Sequence, residues 1–400
     1  MEFSDQIFNQ YNRYLELSIT NRFFKHADLL RIIERLKKNP RFIIEQKGIS
    51  VQGCSINLMK IGTGPVKIFL WSQMHGNEAT ATMALFDLFN FLNANDELND
   101  IRNAFLENCT LYFLPLVNPD GAEVFTRRNA QEIDINRDFN AQQSPEGKLL
   151  RELHEEIQPH FGFNLHDQSV QWSAGNTGNP ATISFLAPAY DENLSVNSVR
   201  QKAMQVIAYM NNQLQKLIPD HIGLFDDEYE ARAFGDNFQK IDTSTILIEA
   251  GGYPNDPEKQ YIRKLFFVAI LSGLECITQD LIPLQSIEDY YSIPKNIKSH
   301  YHILLRNCRI TTNNCNYITD IGLLAEEKLN DNLTSVNYIY LIDDVGDLSA
   351  KYGYEEIDAE NLNLILTKPL IFGNPADFIL QDGINTILSV ENGRINKENI

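Results

Sequence analysis

His75 and Glu78 stand three residues apart in the stretch Leu70-Trp71-Ser72-Gln73-Met74-His75-Gly76-Asn77-Glu78. An imidazole nitrogen and a carboxylate oxygen, each about 2 Å from an ion, are what a divalent metal asks for. That spacing alone is a weak signal, because ordinary surface turns also carry His and Glu. Its setting strengthens it. Residues 66–70 form an apolar run that reads as a buried strand, and residues 79–92 carry apolar side chains at helical spacing. A turn from strand to helix can aim two side chains into one small volume.

The elements that must position this pair read as follows. Residues 3–17 and 26–37 have helical periodicity, with Pro40 closing the second segment. Residues 42–48 and 51–61 read as strands joined at Lys47-Gly48, and Gly62-Thr63-Gly64-Pro65 breaks the chain before the strand 66–70. After the helix 79–92, strand 110–116 runs into Asn118-Pro119-Asp120-Gly121. A helix at 145–157 opens with a proline, and strand 161–165 delivers His166. A Gly-, Asn- and Ser-rich loop spans 168–180. The helix 196–217, the strand 243–249 ending at Gly251-Gly252, and the helix 261–279 complete the pattern. Strand-then-helix repetition predicts an α/β fold, with a mixed, mostly parallel twisted sheet and helices on both faces. Beyond Pro283, short β-like segments alternate with Asn-, Asp- and Gly-rich turns. Two domains are expected, 1–282 and a smaller β-rich domain 283–400 that carries no assignable motif.

In an open α/β sheet, ligands bind beyond the carboxyl ends of the strands. The polar residues at those ends are His75 and Glu78, then Asn118 to Gly121, then His166, then Glu249. Two histidines and a glutamate with an open fourth position make a hydrolytic zinc arrangement, and a second carboxylate is left over.

At this point the chain resembles the zinc carboxypeptidases of the funnelin type, peptidase family M14. The matching pieces, in order, are His75-Gly-Asn-Glu78, Asn118-Pro-Asp-Gly121, Arg128-Asn-Ala, Asp134-Ile-Asn136-Arg137-Asp-Phe139, Phe163-Asn-Leu-His166 and Ile248-Glu249-Ala-Gly-Gly252. The resemblance implies one zinc ion held by His75, Glu78 and His166, a set already familiar from carboxypeptidase A. It implies Asp134 as the carboxylate that orients a ligand histidine. Arg128 is implied as the group polarising the scissile carbonyl, with its neighbour Arg127 as the competing choice. Asn136 and Arg137 would clamp a free carboxylate of the substrate, a task suited to a guanidinium fork. Glu249 would be the general base for a metal-activated water. Two departures stand out. Residue 164 is Asn where the family commonly has Asp two places before the histidine. The family's mobile tyrosine has no motif here, and Tyr229 is the best-placed candidate. The specificity lining is expected between Asp226 and Asp242, where Arg232, Phe234 and Asp236 have opposed implications.

The expected activity is cleavage of the C-terminal amide bond of a peptide or peptide-like substrate with a free carboxylate. The alternative is a deacylase of small N-acyl amino acids, since the aspartoacylase and succinylglutamate desuccinylase branch shares the His-Gly-Asn-Glu and Asp-x-Asn-Arg-x-Phe pieces. Cell-wall peptide amidases share the peptidase motifs. A binding protein that kept the fold without catalysis is a third reading.

Composition excludes other classes. A formal charge of −19 argues against nucleic acid as a partner, because phosphate binding needs a basic patch. No run of 18 apolar residues exists to span a membrane, and residues 1–21 lack a secretory pattern, so the cytoplasm is the expected compartment. Five cysteines, at 54, 109, 276, 308 and 315, are too few and too scattered for a disulfide framework. Cys308 and Cys315, the nearest pair, lack the C-x-x-C spacing of a zinc ribbon. His154 and His160 read as surface or capping residues, His221 as a turn residue, and His300 and His302 as edge residues of the second domain. Asp226-Asp227-Glu228 and Asp343-Asp344 read as solvated acidic clusters.

Overall fold

Alternation between apolar and small or polar residues decides which face of each strand meets which helices. The computed structural model describes residues 2–311 and 316–396. An eight-stranded sheet is built from β1 (Ile43–Ile49), β2 (Ser55–Ile61), β3 (Val66–Ser72), β4 (Cys109–Leu114) and β5 (Phe161–Asp167). The short β6 (Trp172–Ala174) pairs elsewhere, and the sheet resumes with β7 (Ile183–Leu186), β8 (Ile222–Leu224) and β9 (Ser244–Ala250). The strand order is β1-β2-β4-β3-β5-β9-β7-β8. The central neighbours β4-β3-β5-β9 are all parallel, while β1, β2 and β7 join antiparallel. This is the mixed, mostly parallel sheet that the sequence pattern predicts.

The helices are α1 (Phe3–Gln10), α2 (His26–Leu36), α3 (Thr80–Asn93), α4 (Asn99–Asn108), α5 (Pro119–Glu123), α6 (Pro145–Ile157), α7 (Ser198–Leu214), α8 (Phe234–Lys240), α9 (Gln260–Thr278) and α10 (Ile287–Tyr291). Ile68, Leu70, Phe163, Leu165, Ile246 and Ile248 pack with α3, α7 and α9 on one face. Phe69 and Trp71 pack on the other, against Leu149, Leu150 and Leu153 of α6 and Phe234 and Phe238 of α8. Side chains alternate along a strand, so Asn164 and His166 of β5, and Leu247 and Glu249 of β9, point to the α6/α8 side. A fully buried ion pair fixes the N-terminal segment to the helical layer. Arg263 of α9 reaches Asp87 of α3 at 2.6 and 2.7 Å, and also donates to the carbonyl oxygens of Ile19 and Glu16.

The chain divides into two compact units, Met1–Ser169 with Ala181–Asn296, and Val170–Pro180 with Ile297–Ile400. The division thus falls later than the expected 282/283, because α10 stays with the first unit. The loop after His166 supplies a piece of the second. In that second unit, β10 (Asn296–Lys298) pairs with β6. One four-stranded sheet has the order β13 (Val336–Gly346), β12 (Asn316–Leu329), β11 (His300–Thr311), β14 (Tyr352–Asp358). Another runs through β15 (Asn363–Leu366), β16 (Phe378–Asp382), β17 (Asn385–Glu391) and β18 (Arg394–Ile395). Its core includes Ile303, Leu305, Leu323, Phe378 and Leu380.

Several local expectations change. The first helix stops at Gln10 and continues only as a 3-10 turn, Tyr11–Arg13. The first hairpin does not turn at Lys47-Gly48. Gly48 sits in an irregularity of β1 against the Leu149 side chain, and the reversal comes at Ser50 to Cys54, where Gly53 takes a φ of +85°. The helices α4 and α8, the strand β7, the edge strand β8 and the long strand β12 emerge only in the structure. Cys54, Cys109, Cys276 and Cys308 form no disulfide, and Cys315 lies outside the described residues. Among the described residues no helix is long and apolar enough to cross a membrane.

Candidate metal centre

The chain leaves β3 through Gln73 at a φ of +50°, and a tight turn follows in which the Glu78 amide donates to the His75 carbonyl at 3.1 Å. Gly76 in this turn lies against the backbone of Gly121; a Cβ there would stand 2.0 Å from the Gly121 carbonyl carbon. Only glycine permits that approach, which locks the His-Gly-Asn-Glu turn onto the start of α5. Asn118 caps α5, its side-chain oxygen accepting from the Gly121 amide at 2.9 Å.

The turn brings His75 and Glu78 to His166, which β5 delivers from its carboxyl end. Glu78 spans both rings. Its Oε1 lies 2.7 Å from His75 Nδ1 and its Oε2 lies 2.7 Å from His166 Nδ1. All three residues are buried, and their ligating atoms lie within 4.8 Å of one another. Two Nδ1 atoms and a carboxylate, dry and convergent, are a donor set that fits zinc. His75 Nε2 sits 3.1 Å from Asp134 Oδ1, which commits Nδ1 to the centre. His166 Nε2 is buried with no hydrogen-bond partner.

Burial works against ionisation of Glu78, but the two histidines outweigh it and hold its carboxyl well below the usual range. Asp134 is also held low, against burial, by His75 and Arg127. Burial pushes His166 down, whereas at His75 the neighbouring carboxylates overcome burial and push it up.

Glu249 stands directly opposite His166 across the parallel β5–β9 pair. Burial, reinforced by the Glu78 and Asp167 carboxylates, pushes its carboxyl well above the usual range. Its Oε2 is buried without a hydrogen-bond partner. Beside it, the buried Lys259 ammonium bridges the two strand ends, donating to Asp167 Oδ2 at 2.9 Å and to the Ala250 carbonyl at 3.0 Å.

The arginines exchange places relative to the sequence expectation. Arg127 is the one at the centre, with Nε 3.0 Å from Asp134 Oδ2 and Nη1 3.3 Å from Glu78 Oε1. Arg128 is exposed and turns away to donate to the Glu132 carbonyl at 2.8 Å. The loop decides this. Asn129 is pinned at its other end, its oxygen accepting from the Gln131 and Ile133 amides and its nitrogen donating to the buried Glu146 at 2.9 Å. The Asn-Ala pair next to Arg128 points to it in the sequence, but adjacency carries no information about which side chain a turn presents.

Asn136 and Arg137 follow Asp134 on a 3-10 turn, Ile135–Arg137, capped by the Asp134 carboxylate. Asn136 Oδ1 accepts from the Phe234 amide at 3.0 Å, and Arg137 Nε pairs with Glu230 at 3.0 Å. Tyr229 is half-buried next to Glu230, with no hydrogen bond from its hydroxyl to the cluster among the described residues. Asn164 lies under Gly235, where a Cβ would come within 3.0 Å of its Nδ2. Sequence reasoning missed Glu230, for which no local signal exists.

Two of the remaining readings are corrected, those of His154 and Asp227. His154 is not a surface residue. It is buried, stacked on Phe238 at 3.9 Å, with Nε2 2.7 Å from Thr243 Oγ1. That hydroxyl donates to the Pro159 carbonyl, so His154 Nε2 carries the proton. His160 Nδ1 accepts from the Lys67 amide. Asp227 is paired with the buried Arg200 rather than simply solvated.

Comparisons with known proteins agree on what this chain is similar to. Residues 29–222 match the peptidase M14 family model, zinc carboxypeptidase. Carboxypeptidase SOL1 of Arabidopsis thaliana is 28% identical over 137 residues, covering 32% of this chain and 28% of that protein. Probable carboxypeptidase 2 of Arthroderma benhamiae is 27% identical over 191 residues, covering 46% of this chain and 33% of that protein. The matches thus span about a third or less of those relatives' length. Among solved structures, a metallo-carboxypeptidase from Burkholderia cenocepacia superposes with a TM-score of 0.53 at 14% identity, over 64% of this chain and 70% of that one. Carboxypeptidase A from Helicoverpa armigera gives a TM-score of 0.51 at 15% identity, over 69% and 80%. At such identities the likeness is one of fold.

Proposed function

We propose, from the match of residues 29–222 to the peptidase M14 zinc carboxypeptidase model, that this protein is a zinc-dependent hydrolase cleaving the C-terminal amide bond of a peptide or peptide-like substrate. The observation that carries the proposal is the buried cluster of His75, Glu78 and His166 with Glu249 directly across from His166. His75, Glu78 and His166 would hold one zinc ion, which would supply Lewis acidity towards a carbonyl and lower the pKa of water.

The chain's own residues do the rest. Glu249 takes the proton of the attacking water and returns it to the leaving nitrogen. A carboxyl whose proton affinity is raised by burial, with one oxygen unengaged, suits both transfers. Arg127 is proposed to meet the negative charge that develops on the carbonyl oxygen, an effect worth about 3 kcal/mol. Asp134 fixes the tautomer and tilt of His75 and also steadies Arg127. Asn136 and Arg137 receive the substrate's free carboxylate, and Tyr229 is assigned to the same substrate-facing segment.

The test is hydrolysis of a panel by the zinc-loaded protein, with and without a chelator. Peptides with free carboxyl termini should be cleaved, and the chelator should abolish the reaction. Turnover of small N-acyl amino acids alone would move the assignment to a deacylase, and binding without any turnover to a non-catalytic protein.

A further inference from the structure

Arg137 already has a carboxylate on it. Its Nε lies 3.0 Å from Glu230 Oε2, while Nη1 donates to the Asn136 carbonyl at 2.8 Å. Glu230 belongs to the segment between β8 and α8. Arg232, two residues on, grips the same carboxylate, with Nε 2.9 Å from Oε1 and Nη2 2.7 Å from Oε2. The Arg232 amide also donates to Oε1 at 3.1 Å. These hydrogen bonds hold the Glu230 carboxyl down to about 2, so it is ionised at neutral pH. Two residues further, the Phe234 amide holds Asn136 Oδ1. The segment 230–234 therefore touches both residues assigned to the substrate's terminal carboxylate.

We infer that Glu230 is an intramolecular competitor for the substrate's terminal carboxylate at Arg137, and thereby sets the affinity of the site for that end of the substrate. The role presupposes the carboxypeptidase reading above. Glu230 presents to the guanidinium the same group that a peptide C-terminus presents. Arg137 and Glu230 are 36% and 28% exposed, and an ion pair so open to water holds weakly, so exchange is easy. Release also strands no charge, because Arg232 keeps both Glu230 oxygens. A residue that merely oriented Arg137 would stay bound beside the substrate, and its removal would weaken binding. A competitor has the opposite signature.

Glu230→Gln separates the two in the zinc-loaded full chain, assayed on a matched peptide pair with a free and an amidated C-terminus. KM for the free-carboxylate peptide should fall about two- to fivefold, the range of an exposed ion pair, with KM for the amide unchanged. Arg232→Gln leaves Glu230 to Arg137 alone, so KM for the free-carboxylate peptide should rise. That rise should vanish in the double variant. An unchanged or higher KM in Glu230→Gln overturns the inference. Calorimetric binding of 3-phenylpropanoate, a simple monocarboxylate, reads the same contact without turnover. If the protein hydrolyses nothing, the enzymatic reading fails on its own. Tighter binding of 3-phenylpropanoate by Glu230→Gln then still upholds the competitor, and equal or weaker binding rejects it.

Discussion

Glu249 and His166 are partners in the β5–β9 register, so one strand end carries a donor of the metal cluster and its neighbour the buried carboxylate. Their backbones are tied by the parallel ladder, and Lys259 clasps the two strand ends at Asp167 and Ala250. The separation between cluster and carboxylate is therefore set by the sheet pairing itself.

Glu249→Gln keeps shape and burial while removing the proton acceptor. Turnover should drop by about 10²- to 10⁴-fold, with zinc content and thermal midpoint close to those of the parent. Metal analysis beside steady-state kinetics checks this. A variant that keeps full turnover with zinc bound would place the base elsewhere.

Removing a ligand should act on metal and stability together. Zinc bound to the folded state alone, at about 1,000 times its dissociation constant, adds about 4 kcal/mol. Added zinc should raise the melting temperature of the parent protein and of Glu249→Gln, but not that of His166→Ala. A zinc-dependent rise of equal size in His166→Ala would show that the ion sits away from this cluster.

The adjacent arginines should behave differently. Arg127→Ala removes the guanidinium that contacts Glu78 and Asp134 and should cost about 10²- to 10³-fold in kcat. Arg128→Ala should stay within about twofold, because its guanidinium donates to the Glu132 carbonyl rather than to the cluster. The reverse pattern in parallel kinetic assays would restore the assignment suggested by the Asn-Ala neighbour.

His154 should make the fold acid-sensitive. Burial pushes it down to about 4 from an ordinary value near 6.5, so the unfolded chain takes up a proton that the folded chain refuses. Its contribution is complete above pH 6.5 and fades as the pH falls towards 4. By pH 4.5 the loss should reach about 2–3 kcal/mol. Urea unfolding at pH 7 and 4.5 should show a smaller difference in His154→Phe than in the parent. Equal differences would exclude His154 as the source.

The Asp87–Arg263 pair has no exposure at either side chain. Asp87→Ala leaves a buried guanidinium without its counter-ion and should destabilise by about 3–5 kcal/mol. Chemical denaturation measures it, and a change under 1 kcal/mol would mean that Arg263 finds another acceptor.

Local chemistry alone determined a good deal of this protein. Apolar runs ending in His75, His166 and Glu249 placed three polar residues at the carboxyl ends of parallel strands, because strand length and helical periodicity are written in neighbouring residues. That His166 and Glu249 stand opposite each other follows only from the β5–β9 register. Tertiary structure alone decided what depends on contacts between distant segments. It chose Arg127 over Arg128, since a loop pinned through Asn129 and Glu146 selects which guanidinium faces inward. It buried His154 by laying Phe238 of α8 over it, and it set Glu230 on Arg137. Periodicity is a property of consecutive residues, whereas an ion pair or a stacked ring is a property of two surfaces that meet only after folding.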